Sequence, residues 1–466
     1  MGDIQLRNEI TKLSSEDRET SSFSTDTITP LSKTAQVESR KPLWQWSVVL
    51  GAAFFVIFYF SNRLIQSTDC RYVIPTVISI LNEGNLDVDE FFAKPGGVYK
   101  PSNYQLEVIQ GRHYNRYSIG QVLVAVPFVI VANKLLGVGY QSDVAVYEHL
   151  ELVMACVIAA GTCMLIFLLA RLRLDTVRAI LLTTIIGLGT TVWSTASCGF
   201  WQNDPSMFLL ALALYLLLGA ENRPQLAQYV GITLALSYIM RPTNAIPVAI
   251  FTVYVWWKYR RYFVRYLFMS SIVAVPFILF NEFTYHSLLS GYYTPGSLGI
   301  PRHVYEAMIG QLISPSRGLF VFSPILLFSL YGVVLKLRPG RFELLDVFVL
   351  LIPICHVLAI ALSNPMWWAG HSFGPRFMTD VIPFFAYFLI PVLENSLNWK
   401  GFKALYMWGA IALTLVFSSF VHFTGSFSPE AWYWNAKPTN VDQNTARLWD
   451  WGDSQAFRAL RVWLHK

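Results

Sequence analysis

The chain is built from long apolar runs separated by short polar breaks. Eleven runs, 44–60, 144–170, 177–193, 205–220, 226–240, 243–257, 267–285, 319–335, 345–363, 381–393 and 404–422, predict membrane-crossing helices. Read this way, they sort the basic residues. Short loops on one side hold Arg171, Arg173, Arg178, Arg223, Lys258, Arg260, Arg261, Arg265, Lys336, Arg338, Arg341, Lys400 and Lys403, whereas those on the other hold only Arg241, Arg302, Arg317 and Arg376. By the positive-inside rule the first side is cytoplasmic, together with the N-terminus carrying Arg40 and Lys41, and an odd number of crossings leaves the C-terminus outside. Each outward basic residue then needs a reason.

The same tally decides the run 119–136, whose 18 residues are near the limit for a bilayer that takes about 20 helical residues. A crossing there would turn the later basic loops outward. The run is therefore expected to lie at or dip into the outer surface, broken near Pro127. Residues 226–257 are expected as two short segments meeting at Arg241 and Pro242, because the ENRPQ and KYRRYFVR loops are both basic and belong on one side.

Composition narrows the class. With 466 residues, 54% apolar, 14% charged and a mean hydropathy of +0.43, the chain is an all-α polytopic membrane protein and not a soluble enzyme. The net charge of +6 comes largely from inner loops, so it speaks of topology and implies no nucleic-acid partner. Residues 1–43 are rich in Ser, Thr, Glu and Asp without apolar periodicity, which predicts a disordered cytoplasmic tail and no cleavable signal peptide. The membrane domain follows over 44–422 with a large outer loop at 61–144, and 423–466 forms a short outer cap. Cys156, Cys163 and Cys355 fall inside crossings and are expected to pack. Cys70 and Cys198 fall outside, where pairing and packing are both open. No CxxC, HExxH or Walker motif is present, so neither a resident metal site nor ATP drive is expected, although a divalent ion stays open.

Three outer segments exceed mere connectors. The first opens with Asp69, Cys70, Arg71 and Tyr72, just after the first crossing. A carboxylate that close to hydrocarbon is costly unless paired or used, so Asp69 is either a functional group or an interfacial partner of Arg71 or Arg63. Glu83, Asp87, Asp89 and Glu90 are expected as surface charges. The GRHYNRYSIGQ stretch places Arg112, His113, Tyr114, Arg116 and Tyr117 before the surface helix, to grip a sugar or phosphate or to anchor the loop. The second segment, 197–204, ends in Asp204 before Pro205, where a helix cap explains the residue as well as a functional role does. The third comprises 286–318 and 364–379, with Arg317, Trp367, Trp368, His371 and Arg376. Any one arginine there is explained by snorkelling to lipid; four on the depleted side point to an anionic ligand.

A carboxylate at the membrane edge can take a proton from an acceptor hydroxyl while arginines stabilise a departing phosphate, which is what moving a sugar from a polyprenyl phosphate requires. At this point the chain resembles the membrane glycosyltransferases of the GT-C superfamily, in the branch related to protein O-mannosyltransferases and bacterial lipid A aminoarabinose transferases. The resemblance spans about 45–422 and lies in the order of parts: a first crossing, an outer loop opening with TDCRY, HYNRYSIGQ leading into an apolar surface helix, Asp204 at the fourth crossing, then SPSRGLFVFSP and WWAGHSFGPRF. It implies Asp69 as catalytic base with Asp204 matching a second acid, inversion at the sugar and polyprenyl phosphate as leaving group; the outer segments themselves offer Tyr72, Arg112, His113, Tyr117, Arg241, Arg317, His371 and Arg376 as substrate-binding candidates. Two departures stand out. Asp69 is followed by Cys70 where the mannosyltransferases pair two acids, and Lys100 and Pro101 are followed by Ser102 and Asn103 where the aminoarabinose enzymes continue a Lys-Pro-Pro-Leu type motif. Neither acceptor carries over, so the acceptor is a glycan, lipid or protein left unnamed.

In 423–466, Trp432, Trp434, Trp449, Trp451 and Trp463 accompany a terminal amphipathic helix, which predicts a membrane-resting cap or an acceptor-holding element. The rival class is a transporter or flippase of a lipid-linked sugar, which would use the same arginines without needing Asp69 as base. No internal repeat supports it. The expected location is the plasma membrane in a bacterium or the endoplasmic reticulum in a eukaryote.

Overall fold

The apolar runs become helices, and their partners show which of them change sides. The computed structural model describes residues 43–62, 69–92, 104–139, 142–293 and 303–464. The expectations on residues 1–42, Arg63, Lys100 to Asn103 and Arg302 fall outside that set. In chain order come α1 (Leu43–Ser61), α2 (Val73–Asn82), the hairpin β1 (Leu106–Ile109) and β2 (Arg112–Asn115), α3 (Ile119–Leu136) and α4 (Val144–Arg171). Then follow α5 (Thr176–Leu188), α6 (Asn203–Ala220), α7 (Val230–Met240), α8 (Ala245–Lys258), α9 (Arg260–Tyr285) and α10 (Val304–Ile313). The last are α11 (Leu327–Lys336), α12 (Leu344–Ser363), α13 (Ile382–Asn395), α14 (Gly401–Phe427) and α15 (Gln455–Leu464).

Among the described residues eight helices are long and apolar enough to cross a membrane, one of them α3, or nine if Thr176–Leu188 and Thr191–Cys198, bent by 44°, form one span. The count of eleven crossings is therefore not reproduced by long helices alone. The segments at 226–240, 243–257 and 319–335 yield only α7, α8 and α11, of 11, 14 and 10 residues. Proline is the cause: Pro224, Pro242 and Pro324 each open a 3-10 turn that uses up the start of the segment.

Helix α3 passes the length test yet does not change sides. Helices α1 and α4 run antiparallel, since Gly51 packs on Met164 while Tyr59 Oη and His149 Nε2 meet at 3.0 Å. The end of α1 and the start of α4 thus share a face, and the chain between them leaves and returns on it. Both ends of α3 stay near that face: Gln121 donates to the Phe200 carbonyl at 2.7 Å, and the chain just beyond Leu136 is tied to α4 by the Tyr147 hydroxyl on the Gly139 carbonyl at 2.7 Å. The expected break at Pro127 is absent. The helix runs through it because Val122, Ala125, Val129 and Ala132, on one face, are buried in the core of the outer loop and hold it together despite the lost bond.

That loop has a core of its own, in which α2 contributes Val73, Ile74 and Val77, the following turn Val88 and Phe91, and α4 contributes Tyr147 and Met154. The first turn of α3 also abuts α7 closely. A Cβ on Gly120 would lie 2.6 Å from the Ile239 carbonyl, so this crossing needs glycine.

After α14 the chain folds back over α10, the turn that follows it at 314–318 and the loop at 364–376. Trp434, Val441 and Leu448 are buried there with Trp367 and Trp368, and Phe457 of α15 rests on Phe417 at 5.9 Å. Cys70 and Cys198 form no disulfide, and Cys198 instead donates to Asn62 Oδ1 at 2.9 Å.

Candidate active site

Three segments distant in sequence deliver one cluster. Asp69 stands at the entry to the turn that starts α2, where buried Cys70 and Tyr72 fix the chain. Tyr117 sits one residue before Ser118, whose hydroxyl caps α3 through the Gly120 amide at 3.1 Å and also donates to the Ile239 carbonyl of α7. Arg376 opens the 3-10 turn leading into α13. The Tyr117 hydroxyl donates to Asp69 Oδ1 at 3.1 Å, and Arg376 Nη2 donates to Asp69 Oδ2. The Arg376 guanidinium lies 3.7 Å over the Trp201 ring, while its buried Nε has no hydrogen-bond partner among the described residues. Burial and the adjacent Asp69 carboxylate push the Tyr117 hydroxyl upward, so it stays a proton donor at neutral pH. Tyr292 packs edge-on against Tyr117 at 5.6 Å.

A second buried pair backs this cluster. Arg241, at the α7 to α8 turn, donates through Nη1 to Asp380 Oδ2, and Asn203 Nδ2 donates to the same oxygen at 3.0 Å and to the Arg376 carbonyl at 3.3 Å. Both guanidiniums lie near the Phe377 ring, Arg241 at 5.1 Å and Arg376 at 5.9 Å from its centroid. Asp204 is wholly buried in the first turn of α6 with neither carboxylate oxygen hydrogen-bonded. It is not the helix cap, because the cap position is Gln202 and Asp204 makes no capping bond.

The other candidates are held elsewhere. Arg112 pairs with Asp87 at 2.8 Å, and His113 Nδ1 lies 2.6 Å from Asp89 Oδ1, so both tie the hairpin to the turn after α2. Asp87 and Asp89 are thus partners rather than free surface charges. Tyr72 packs under Phe92 at 6.2 Å. Arg317 is buried and spends all five donors on the protein: Nε on the Trp368 carbonyl at 2.8 Å, Nη1 on Gln455 Oε1 and the Ser316 carbonyl, Nη2 on the Gly370 carbonyl and Asn435 Oδ1. Burial pushes its pKa down to about 9, so it is still cationic at neutral pH, but no donor is left for a substrate phosphate. His371 Nε2 meets Asn440 Oδ1 at 3.0 Å in the C-terminal segment. Arg317 and His371 thus both fasten that segment to the loops they stand on.

Sequence reading passed over Trp201, Asn203 and Asp380 as site members. Trp201 and Asn203 stood in view in the WQND stretch, whereas Asp380 looked like the ordinary start of an apolar run. Among the described residues no three His, Cys, Asp or Glu side chains gather as a metal site would need.

No family model matches the chain, and no curated protein sequence does. Solved structures match by fold. One is a crystal structure of ArnT from Cupriavidus metallidurans bound to undecaprenyl phosphate, with a TM-score of 0.53 at 13% identity, covering 85% of this chain and 70% of that one. Another is the apo crystal structure of the Archaeoglobus fulgidus oligosaccharyltransferase, with a TM-score of 0.51 at 12% identity, covering 88% of this chain and 59% of that one. Both are GT-C membrane glycosyltransferases, and at this identity the likeness is one of fold. The chain is a polytopic membrane protein with the GT-C fold.

Proposed function

We propose that this protein is an integral membrane glycosyltransferase that moves a sugar from a polyprenyl-phosphate donor to an acceptor hydroxyl on the outer face, with Asp69 as general base. The observation that carries the reading is the Asp69 carboxylate held between the Tyr117 hydroxyl and Arg376. The undecaprenyl phosphate bound to ArnT supports a lipid of that class here. In the resting protein Arg376 neutralises Asp69. An incoming phosphate competes for the guanidinium, whose Nε is already free, and the exchange releases Asp69 Oδ2 toward the acceptor hydroxyl. Asp69 takes the acceptor proton as the acceptor oxygen attacks the anomeric carbon from the side opposite the phosphate. The bond from that carbon to the phosphate oxygen breaks, polyprenyl phosphate leaves with the electron pair, and Arg376 stabilises the charge that grows on it. One carboxylate and an opposed leaving group imply inversion. Tyr117 keeps Asp69 aimed, and the buried Arg241–Asp380 pair fixes the floor under Arg376.

The test is the purified protein in liposomes, given a polyprenyl-phosphate sugar and an acceptor on the outer face. Release of free polyprenyl phosphate supports the transferase. Passage of intact donor between leaflets with no sugar released supports a flippase.

A further inference from the structure

The C-terminal segment reaches the site through one side chain. Gln455 opens α15 and is fully buried. Its Oε1 accepts from the Gly374 amide at 3.0 Å and from Arg317, while its Nε2 donates to the Ser372 carbonyl at 2.9 Å and to the Ala431 carbonyl at 3.0 Å. A side-chain amide thus pairs with the backbone on both sides of Phe373, as a neighbouring strand would. Its own backbone amide donates to Ser316 Oγ at 3.2 Å.

This clamp grips the chain two residues before Arg376. Gly374 has φ +57° and no room for a Cβ, which would lie 2.7 Å from the Phe322 ring, and its carbonyl accepts from the Arg376 amide at 2.9 Å. Phe373 is wedged over Gly425, where a Cβ would come within 2.2 Å of the ring. The left-handed turn has no regular secondary structure to hold it, so its geometry depends on what bonds its backbone. Gln455 supplies two such bonds, and Arg317 supplies more at Trp368 and Gly370.

We propose that Gln455 is a positioning residue: by pairing with Ser372 and Gly374 it sets the turn that carries the Arg376 guanidinium to the phosphate position, making the C-terminal segment a working part of the site. This rests on the reading of Arg376 as the phosphate-binding group. Gln455 has no contact with Asp69 or Arg376 themselves, so its influence must pass through the loop backbone.

The experiment uses the full-length protein in nanodiscs with undecaprenyl phosphate as the probe. Hydrogen exchange at residues 370–376 and lipid affinity are measured for wild type, Gln455→Met, Gln455→Glu, Arg376→Ala and the exposed-site control Gln443→Ala. Gln455→Met keeps the volume and loses the pairing. It is expected to speed exchange at Gly374 while α4 keeps wild-type protection, and to weaken lipid binding by roughly 10-fold. Gln455→Glu keeps an acceptor for Gly374 and Arg317 and is expected to recover the Gly374 protection and part of the affinity. A stability defect alone would loosen α4 as well, and would not be rescued in this selective way. Wild-type affinity in Gln455→Met, alongside weakened binding in Arg376→Ala, overturns the positioning role. Wild-type affinity in Arg376→Ala overturns instead the phosphate reading on which it rests.

Discussion

Arg376 and Asp69, 307 positions apart in the chain, meet in a hydrogen-bonded ion pair with both side chains largely buried. Sequence reasoning had given Asp69 a possible partner close by, Arg71 or Arg63; the fold supplies a distant one. A buried pair of this kind contributes little net stability because both ions are desolvated, whereas removing one partner strands the other. Its evident product is orientation, with the guanidinium pressed flat on Trp201 and the carboxylate turned toward Tyr117.

Replacing Arg376 separates phosphate binding from lipid anchoring. Arg376→Lys keeps the charge but loses the planar fork that lies on Trp201, so transfer should fall even with this conservative change. Arg376→Ala should cost more, because a charge-assisted bond to phosphate contributes on the order of 1.5 to 3 kcal/mol, or roughly 10-fold to 150-fold. Turnover of equal amounts of folded wild type, Lys and Ala proteins at saturating acceptor is the comparison. Equal rates for all three would leave Arg376 as an anchor, and Arg241 is then the remaining described arginine at the cluster.

Tyr117→Phe deletes a single hydroxyl that donates to Asp69 and leaves the ring against Tyr292. Loss of one such bond predicts a fall in kcat of roughly 3-fold to 10-fold, with donor KM little changed. A KM effect without a kcat effect would put Tyr117 on the donor and not on the base.

Arg317 tests the other half of the outer arginines. With all five donors satisfied inside the protein, Arg317→Ala leaves several buried acceptors unpaired and should destabilise by about 3 kcal/mol or more. Arg317→Lys should rescue little, since an ammonium has three donors and no fork. Thermal unfolding of the purified variants checks this. Unchanged unfolding in the Ala variant would contradict the fastening role.

Much of this fold was legible because hydrophobic length and basic-loop asymmetry are strong signals. They kept 119–136 out of the crossing count, and both ends of α3 are tied to the face shared by the end of α1 and the start of α4. They also put Asp69, Tyr117, Arg241 and Arg376 on one face, and the fold brings these four together. Shorter-range features escaped. The hairpin at 106–115 was missed although Gln110 and Gly111, both at positive φ, form a two-residue turn between LEVI and RHYN. Arg317 and Arg376 look alike in sequence, each an outer arginine beside a glycine and a proline. What separates them is which distant carbonyls and amides surround each, and Gln455 and Asn435 carry no local mark of that role. Asp380 was hidden for the same reason, because its partners Arg241 and Asn203 lie 139 and 177 positions away.

Topology gives an independent check. A reporter fused after Lys466, or inserted at Asn85, should be outside, and one in the KYRRYFVR loop should be cytoplasmic. A cytoplasmic reporter after Lys466 would put the C-terminal segment, and Asp69 with it, on the cytoplasmic side and contradict an outer site. The two share one side because both contact the 364–376 loop.

The most direct measurement is the turnover of Asp69→Asn. Asparagine keeps the size of the side chain, and can still accept a hydrogen bond from Tyr117 or Arg376, but it cannot take a proton from an acceptor hydroxyl. With the protein folded and undecaprenyl phosphate still bound, transfer of sugar from a polyprenyl-phosphate donor should fall by roughly 10² or more. Near-normal transfer by Asp69→Asn would remove Asp69 as the base and reduce its pairing with Arg376 to a structural contact.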